Sequence, residues 1–409
     1  MKRTLINMNV AAAILAMSAV ATTATAAEFM DGKIKISGAA MQSWQSGIDV
    51  DGAAANAGDA SSDSAFQRMR FALNINAQVS ENVSVFAELA EEPNDWGNGS
   101  AAISQDLGWI QFDLPNNTGV RLGNVVSTTQ NFIRYSDGAA VQSNPFVGNG
   151  LVDMITAEEG LWAYGSHTLS SGTNVTWDAV LATPDFFTDF SDGQGYNMGL
   201  RGTVNLESGL SFGAGTFKTN HDQASVAGKA AGSLIAVGDG DNYQFASTAV
   251  NARATHPLIV PGVDAFIWQA DVQYKANNFL VHGLIGQAED DYSWVGQGTG
   301  GSGLTSTAYV AQKSKMAFWS IEGKYDISND FYVAARYAES ENKSAGISGP
   351  NEATRLQLGA GYWMNDSTLF KAEYVKQEED QFSGGGATDS SVAGGTEWDG
   401  LIVEASVTF

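Results

Sequence analysis

The sequence predicts an all-β protein, a transmembrane antiparallel β-barrel of sixteen strands, and three observations carry that expectation. Connections between strand-like segments alternate strictly between long loops and turns of three to six residues. The segments themselves alternate apolar and polar residues with a two-residue period. And no stretch beyond the first 26 residues is apolar for long enough to cross a membrane as a helix, which takes ~20 residues.

The connections come first because they set the topology. In a barrel of antiparallel strands every second connection lies on the same rim, so short on one side and long on the other must read as alternation along the chain. The short turns fall at 80–82, 115–118, 167–172, 207–209, 275–278, 328–330 and 365–367, and four of them carry Gly or Asn/Asp combinations suited to tight reversals. The long loops cover roughly 45–64, 93–102, 127–158, 184–194, 220–263, 290–314, 341–351 and 379–397. Eight long and seven short connections join sixteen strands, an even number that puts both termini on the short-turn side.

Residues 1–26 read as a secretory signal peptide: Lys2 and Arg3, the apolar run 10–20, then Ala24-Thr25-Ala26 as the cleavage site. Residues 27–409 then form one domain, with no Pro/Ser linker or break in composition to divide it. With Cys 0, neither a disulfide framework nor a thiolate metal site is available. Few prolines suit a chain that is mostly sheet, and 46 glycines serve both turns and close strand packing.

The segment 68–79 puts Met69, Phe71, Leu73, Ile75, Ala77 and Val79 on one face and Arg68, Arg70, Asn74, Asn76 and Gln78 on the other. The same period recurs in 195–206, 264–274 and 352–364, with apolar residues expected outward to lipid and polar ones inward. A soluble sandwich would alternate too, but its dry core could not hold so many charges and amides unpaired, whereas a water-filled interior can. A ~10-residue strand at ~3.3 Å per residue, tilted ~45°, rises ~23 Å, which matches the ~25 Å apolar band of an outer membrane. Aromatics near strand ends, at Trp44, Trp177, Tyr196, Phe212, Trp268, Tyr274, Phe279, Phe331, Tyr362 and Phe370, suit interfacial girdles.

The final strand, Leu401-Ile402-Val403-Glu404-Ala405-Ser406-Val407-Thr408-Phe409, alternates and ends on an aromatic ring. A terminal Phe after such a strand resembles the assembly signal of Gram-negative outer-membrane barrels. In layout, residues 27–409 resemble a sixteen-stranded bacterial porin. The resemblance implies an outer-membrane homotrimer with periplasmic termini, long loops facing the exterior and a third long loop folded into the pore. It implies outer-membrane lipid and lipopolysaccharide as surroundings, and small hydrophilic solutes and ions as cargo.

Alternation assigns Arg68, Arg70, Arg121, Arg201, Lys324, Arg336, Arg355 and Lys371 to the lumen, together with Glu88, Asp113, Asp178, Asp271, Glu322, Asp326, Glu373 and Glu404. In the resembling family a basic wall faces an acidic loop across a narrow aperture, and the field between them orders water and excludes apolar solutes. The alternative is a wall of mutually paired charges with no part in transport. The third long loop is too rich in apolar residues, among them Phe132, Ile133, Tyr135 and Phe146, for a solvated surface. Something must bury it. The resemblance makes Arg134, Asp137, Asp153 and Glu158 candidates for the constriction. Where porins carry a Pro-Glu-Phe-Gly-Gly turn, this loop has Pro145-Phe146-Val147-Gly148, with no acidic residue inside it.

The formal charge is −24, and most of it sits in the long loops, which hold 21 acidic against 5 basic residues. Such a rim concentrates cations in dilute medium and favours a mild cation selectivity, against which the wall arginines pull. Gly238-Asp239-Gly240-Asp241-Asn242 lacks the terminal Glu of a calcium loop and reads as a flexible loop. The four histidines are scattered, so neither a metal site nor a catalytic triad is expected; nor is a cofactor or nucleic acid. A passive channel is the first reading. A porin selective for sugar, phosphate or carboxylate is the second, and a plugged barrel serving as receptor or adhesin the third; an enzyme is the most remote.

Overall fold

The computed structural model describes residues 27–50, 65–66, 69–91, 103–126, 142–148, 157–183, 195–221, 264–290, 314–343, 352–379 and 396–409. Sixteen strands make its wall. They are β1 (Ile34–Val50), β2 (Arg70–Ser80), β3 (Val83–Glu91), β4 (Ser104–Leu114), β5 (Thr118–Val126), β6 (Ala157–Thr168), β7 (Asn174–Thr183) and β8 (Gly195–Asn205). The second half comprises β9 (Leu210–His221), β10 (Asp264–Ala276), β11 (Phe279–Asp290), β12 (Ser314–Asp326), β13 (Phe331–Asn342), β14 (Glu352–Asn365), β15 (Thr368–Glu379) and β16 (Thr396–Thr408). Each pairs antiparallel with its neighbours in sequence, and β16 pairs with β1 from Thr408 opposite Ala39 to Trp398 opposite Val50, which closes the ring. Two short strands lie outside this count. Ala27–Phe29 pairs with Ile34–Ile36, and Ala65–Phe66 pairs with Gln45 and Trp44.

The alternation of connections holds around the ring: 81–82, 115–117, 169–173, 206–209, 277–278, 327–330 and 366–367 turn at one rim, and the eight long connections leave from the other. Between β4 and β5 the reversal is made by Asn116 and Asn117, both left-handed with φ of 64° and 55°, the handedness that matches strand twist. Gly209, at φ 85°, faces a tighter demand, since a Cβ there would stand 2.0 Å from the Lys275 carbonyl oxygen.

Several expected boundaries move by a residue or more, and three of them show why. β1 runs on to Val50 instead of yielding to a loop at 45, because its ladder with β16 continues across a bulge at Asp399/Gly400 and outweighs the loop-like local composition. His167 and Thr168 belong to β6, with Thr168 opposite Asn174, so the turn starts two residues later than expected. β6 begins at Ala157, which makes Glu158 a strand residue.

The two faces of the wall differ as the period requires. On β8, Tyr196, Met198, Leu200 and Val204 are exposed while Asn197 and Arg201 are buried. Exposed Ile110, Leu122, Leu161, Leu181, Ile285, Ile321, Leu358 and Leu401 extend the same apolar band round the ring. Near the short turns it ends in Trp177, Phe212, Tyr274, Phe279, Tyr325, Phe331, Tyr362 and Phe370, with Phe279 directly opposite Tyr325 and Tyr362 between Phe331 and Phe370. Toward the long-loop rim Phe266, Trp268 and Trp319 are exposed on the same face. So much contiguous apolar surface is costly in water and is what a lipid-facing belt needs.

The inner face departs from the expectation of polar residues alone. Phe86, Trp109, Trp162, Tyr164, Phe217, Ile267, Leu284 and Phe318 are inward and buried. Several of these rings lie flat against the wall over a glycine of the adjacent strand. Tyr164 is opposite Gly119, Phe318 opposite Gly286 and Tyr332 opposite Gly361, where a Cβ would stand 2.3, 2.3 and 2.1 Å from ring atoms or the ring hydroxyl. Large rings therefore fit on the inner side without filling the bore.

Closure ends on Phe409. Its N–H donates to the Gly38 carbonyl at 3.0 Å, the Gly38 N–H donates to its carbonyl at 2.8 Å, and its ring stacks on Phe71 at 6.4 Å.

Candidate functional site

The inner face of the wall is where the candidate residues gather. Arg70, Glu88, Arg121, Arg201, Arg336, Arg355 and Lys371 are all inward and buried, Lys324 is inward and partly open, and Asp113 is inward and exposed near a short turn. Arg68, Arg134, Asp137 and Asp153 lie outside the described residues. Glu158 sits opposite Val125 in the β5–β6 ladder, with its side chain outside the described residues.

Register brings the wall charges into contact with one another. Glu322, Arg336 and Gln357 are directly opposed across β12, β13 and β14; Arg336 Nε donates to Glu322 Oε2 at 2.7 Å and Nη1 to Gln357 Oε1 at 3.2 Å. Lys371 pairs with Glu404 at 2.9 Å, Arg201 with Asp271 at 2.6 Å and Lys324 with Asp326 at 2.9 Å, while Arg355 donates to Gln377. Mutual pairing lets a wall hold charges near the barrel's low-dielectric shell, because each carboxylate neutralises a neighbour's cation. On the side spanning β3–β6, Arg121 donates to Gln111 at 2.9 Å and lies over the rings of Trp109, Trp162 and Tyr164 at 4.4, 5.0 and 5.6 Å.

Seven residues of the third long loop are seated on this face. Val147 and Gly148 donate their backbone N–H groups to Glu373 Oε2 at 2.7 and 2.9 Å, and Lys371 Nζ donates to the Phe146 carbonyl at 2.8 Å. Tyr332 Oη donates to the Pro145 carbonyl at 3.2 Å, and Gln357 Nε2 to that of Gly148 at 3.3 Å. Asn144 shapes the turn from within, accepting from the Phe146 N–H at 3.0 Å and donating to the Gly148 carbonyl at 3.2 Å. Phe146 is 0% exposed, held between the Arg336 guanidinium at 4.3 Å and Gly359. At the other end Gln142 donates to the Ser367 carbonyl at 2.9 Å, in a short turn at the rim opposite to the one the loop springs from. The turn has no acidic residue of its own, and the wall supplies one in Glu373.

The seat is across the barrel from the loop's origin. The loop joins β5 to β6, and in a ring of sixteen the strands facing these are β13 and β14, the first of the four that 142–148 touches. The segments 127–141 and 149–156 lie outside the described residues. Elsewhere on the inner face several residues near the short turns are partly or fully exposed, as at Asn76, Gln78, Gln111, Thr203, Ser211, Gln273 and Lys275, although Ser166, Asn174 and Thr176 beside the 169–173 turn are buried, and described residues farther up the wall such as Ile267 and Phe318 are buried. Among the described residues the more open, polar part of the inner face lies at the short-turn end.

Sequence reasoning found the parity of Glu373 and Arg336 but not their partner. It missed Gln142, Asn144, Tyr332 and Gln357, whose contacts span up to 266 residues. Gly119 and Gly361 opposite Tyr164 and Tyr332 were legible only once register was known.

No protein-family profile matches the chain, and no curated protein matches it. Solved structures do. It aligns with OmpF of Salmonella typhi in complex with daunomycin at a TM-score of 0.56 and 16% identity, over 94% of this chain and 100% of that one. An anion-selective porin from Comamonas acidovorans gives 0.54 and 15% over 92% and 99%. A trimer form of the outer-membrane protein OmpT of Vibrio cholerae gives 0.54 and 11% over 92% and 99%. At these identities the likeness is one of fold, and the fold is that of the sixteen-stranded outer-membrane porins.

Proposed function

We propose that this porin-fold barrel is an outer-membrane channel through which small hydrophilic solutes and ions diffuse, narrowed by its third long loop. The observation that carries the reading is the seating of 142–148 on the inner wall opposite the strands the loop joins, which puts those seven residues inside the barrel. Residues 1–26 are the export signal in this reading, and the wall residues Arg70, Glu88, Asp113, Arg121, Arg201, Lys324, Arg336, Arg355 and Lys371 line the path. The acidic long-loop rim favours cations weakly and lies among lipopolysaccharide headgroups. A homotrimer accords with the trimer form of the Vibrio protein, and with the apolar hollow of about 480 Å³ on the outer face between Trp44, Phe66, Phe331, Tyr362, Phe370 and Val403. A second reading, a substrate-selective porin, is favoured by the burial of the inner face toward the long-loop rim, which implies a tight aperture.

Refolded protein in planar bilayers should give unitary steps in groups of three with modest cation preference under a KCl gradient. Blockade by one sugar, phosphate or carboxylate at low concentration would shift the assignment to the selective channel, and silence would refute both. The membrane setting has its own test. Leu200, 59% exposed at the centre of β8, faces the middle of the apolar band, so Leu200→Arg should cost roughly 2–4 kcal/mol of stability in lipid bilayers. A cost near zero by urea titration in vesicles would place that face in water.

A further inference from the structure

We infer that 142–148 is also a closure clasp, binding the last four strands of the barrel into one unit from the inside. Its hydrogen bonds run across consecutive strands: Tyr332 and Arg336 on β13, Gln357 on β14, Lys371 and Glu373 on β15, Ser406 and Thr408 on β16. Gln142 reinforces the junction of the β14–β15 turn and the terminal strand, where the Thr408 N–H already donates to the Ser367 carbonyl at 2.9 Å, by donating to the Ser367 carbonyl at 2.9 Å and the Ser406 carbonyl at 3.2 Å and accepting from Thr408 Oγ1 at 3.3 Å. These are the strands that must be held in order for β16 to meet β1.

Ladder bonds between sequence neighbours form as hairpins and close short loops. The ring-closing β16–β1 pairing and the clasp both join residues far apart in sequence, 266 residues for Gln142 and Thr408, and so close long loops at greater entropic cost. The clasp ties β13, β14, β15 and β16 together without depending on the ladder itself, and it does so on top of the pairwise wall contacts Arg336–Gln357, Gln357–Glu373 and Lys371–Glu404, each of which joins only two strands. The cradle is built for it, since a Cβ on Gly359 would stand 3.0 Å from the Phe146 ring and 3.1 Å from the Pro145 carbonyl oxygen. The clasp acts on the folded wall whether or not the barrel conducts.

The test is hydrogen exchange of the folded chain in vesicles, read peptide by peptide, for Gln142→Ala against the unaltered protein. Amides of β13–β16 should exchange roughly tenfold faster while those of β7–β10 do not change. Unchanged exchange, or acceleration spread evenly round the ring, overturns the clasp. Because the chain has no cysteine, the pair Gln142→Cys and Ser406→Cys, bridged by a short, reducible bis-thiol-reactive reagent that spans the length the glutamine amide covered, gives the converse. Cross-linking should slow exchange in β13–β16 and reductant should restore it, and no response of the cross-linked protein overturns the inference even if Gln142→Ala fails to fold. Conductance of the same samples separates the two roles. Faster β13–β16 exchange with unaltered steps upholds the clasp and removes the constriction, and larger steps with unaltered exchange do the reverse.

Discussion

Glu373→Ala should enlarge the unitary steps of the channel and make them noisier. The carboxylate accepts the Val147 and Gly148 N–H groups at 2.7 and 2.9 Å and the Gln357 amide at 2.9 Å, so it holds the turn and orients a second residue that holds it. Hydrogen bonds to a charged acceptor contribute roughly 1.5–3 kcal/mol each, and water admitted to the bore replaces part of that, which leaves a net loss of about 2–4 kcal/mol of docking free energy. A population shift of that size empties the seat most of the time. Lys371 and Tyr332 still reach the turn's carbonyls, which is why the released loop should flicker and not stay away. Glu373→Gln keeps one acceptor and should fall between the two. Steps of unaltered size in Glu373→Ala would show that the segment does not limit the current.

Gly38→Val should abolish most folding into the closed barrel. The added Cβ would stand 2.5 Å from the Ala72 carbonyl oxygen and 2.6 Å from the Phe409 ring. The ring could swing aside, but the backbone oxygen belongs to the β1–β2 ladder and cannot. Moving the ring gives up its stack on Phe71, and moving β1 gives up the two backbone hydrogen bonds that seat Phe409. Overpacking alone costs roughly 1–3 kcal/mol. The lost terminal pairing adds to it at the one seam of the ring that no chain connection joins directly. The fraction that migrates as folded barrel on unheated gels reads this directly; a wild-type fraction would mean the terminal ring needs no socket.

The barrel was legible because its rules are local and repetitive. Asn116-Asn117 and Ser208-Gly209 announce turns, and Tyr196, Met198 and Leu200 against Asn197 and Arg201 announce a face. β1 was read short because Gly47 and Asp49 look like loop, and only pairing with a strand some 350 residues away keeps them in the sheet. The inner rings were hidden by a rule that is right for lipid and incomplete for the bore: Trp109 and Trp162 share a face with Arg121 because a guanidinium and an indole stack, which periodicity cannot express. The seat of 142–148 was the least visible feature. The loop's apolar content demanded burial somewhere, but neither Glu373 nor Gln357 carries in its surroundings any sign of the backbone it binds.

In the proposed channel, the greater exposure of the inner face at the short-turn end has an electrical consequence. In a conduit of uneven width the voltage drops almost wholly across the tight part, so an ion there feels the applied field while one at the open end feels mainly the local charges of Lys275, Lys324 and Asp326. An ion driven from the open end arrives from a reservoir those side chains have already biased, whereas one driven the other way arrives from an acidic rim. In the proposed channel, equal and opposite potentials would then draw on unequal supplies, and the current–voltage curve in planar bilayers should bend; a straight, symmetric curve would show that the wall is evenly resistive along its length.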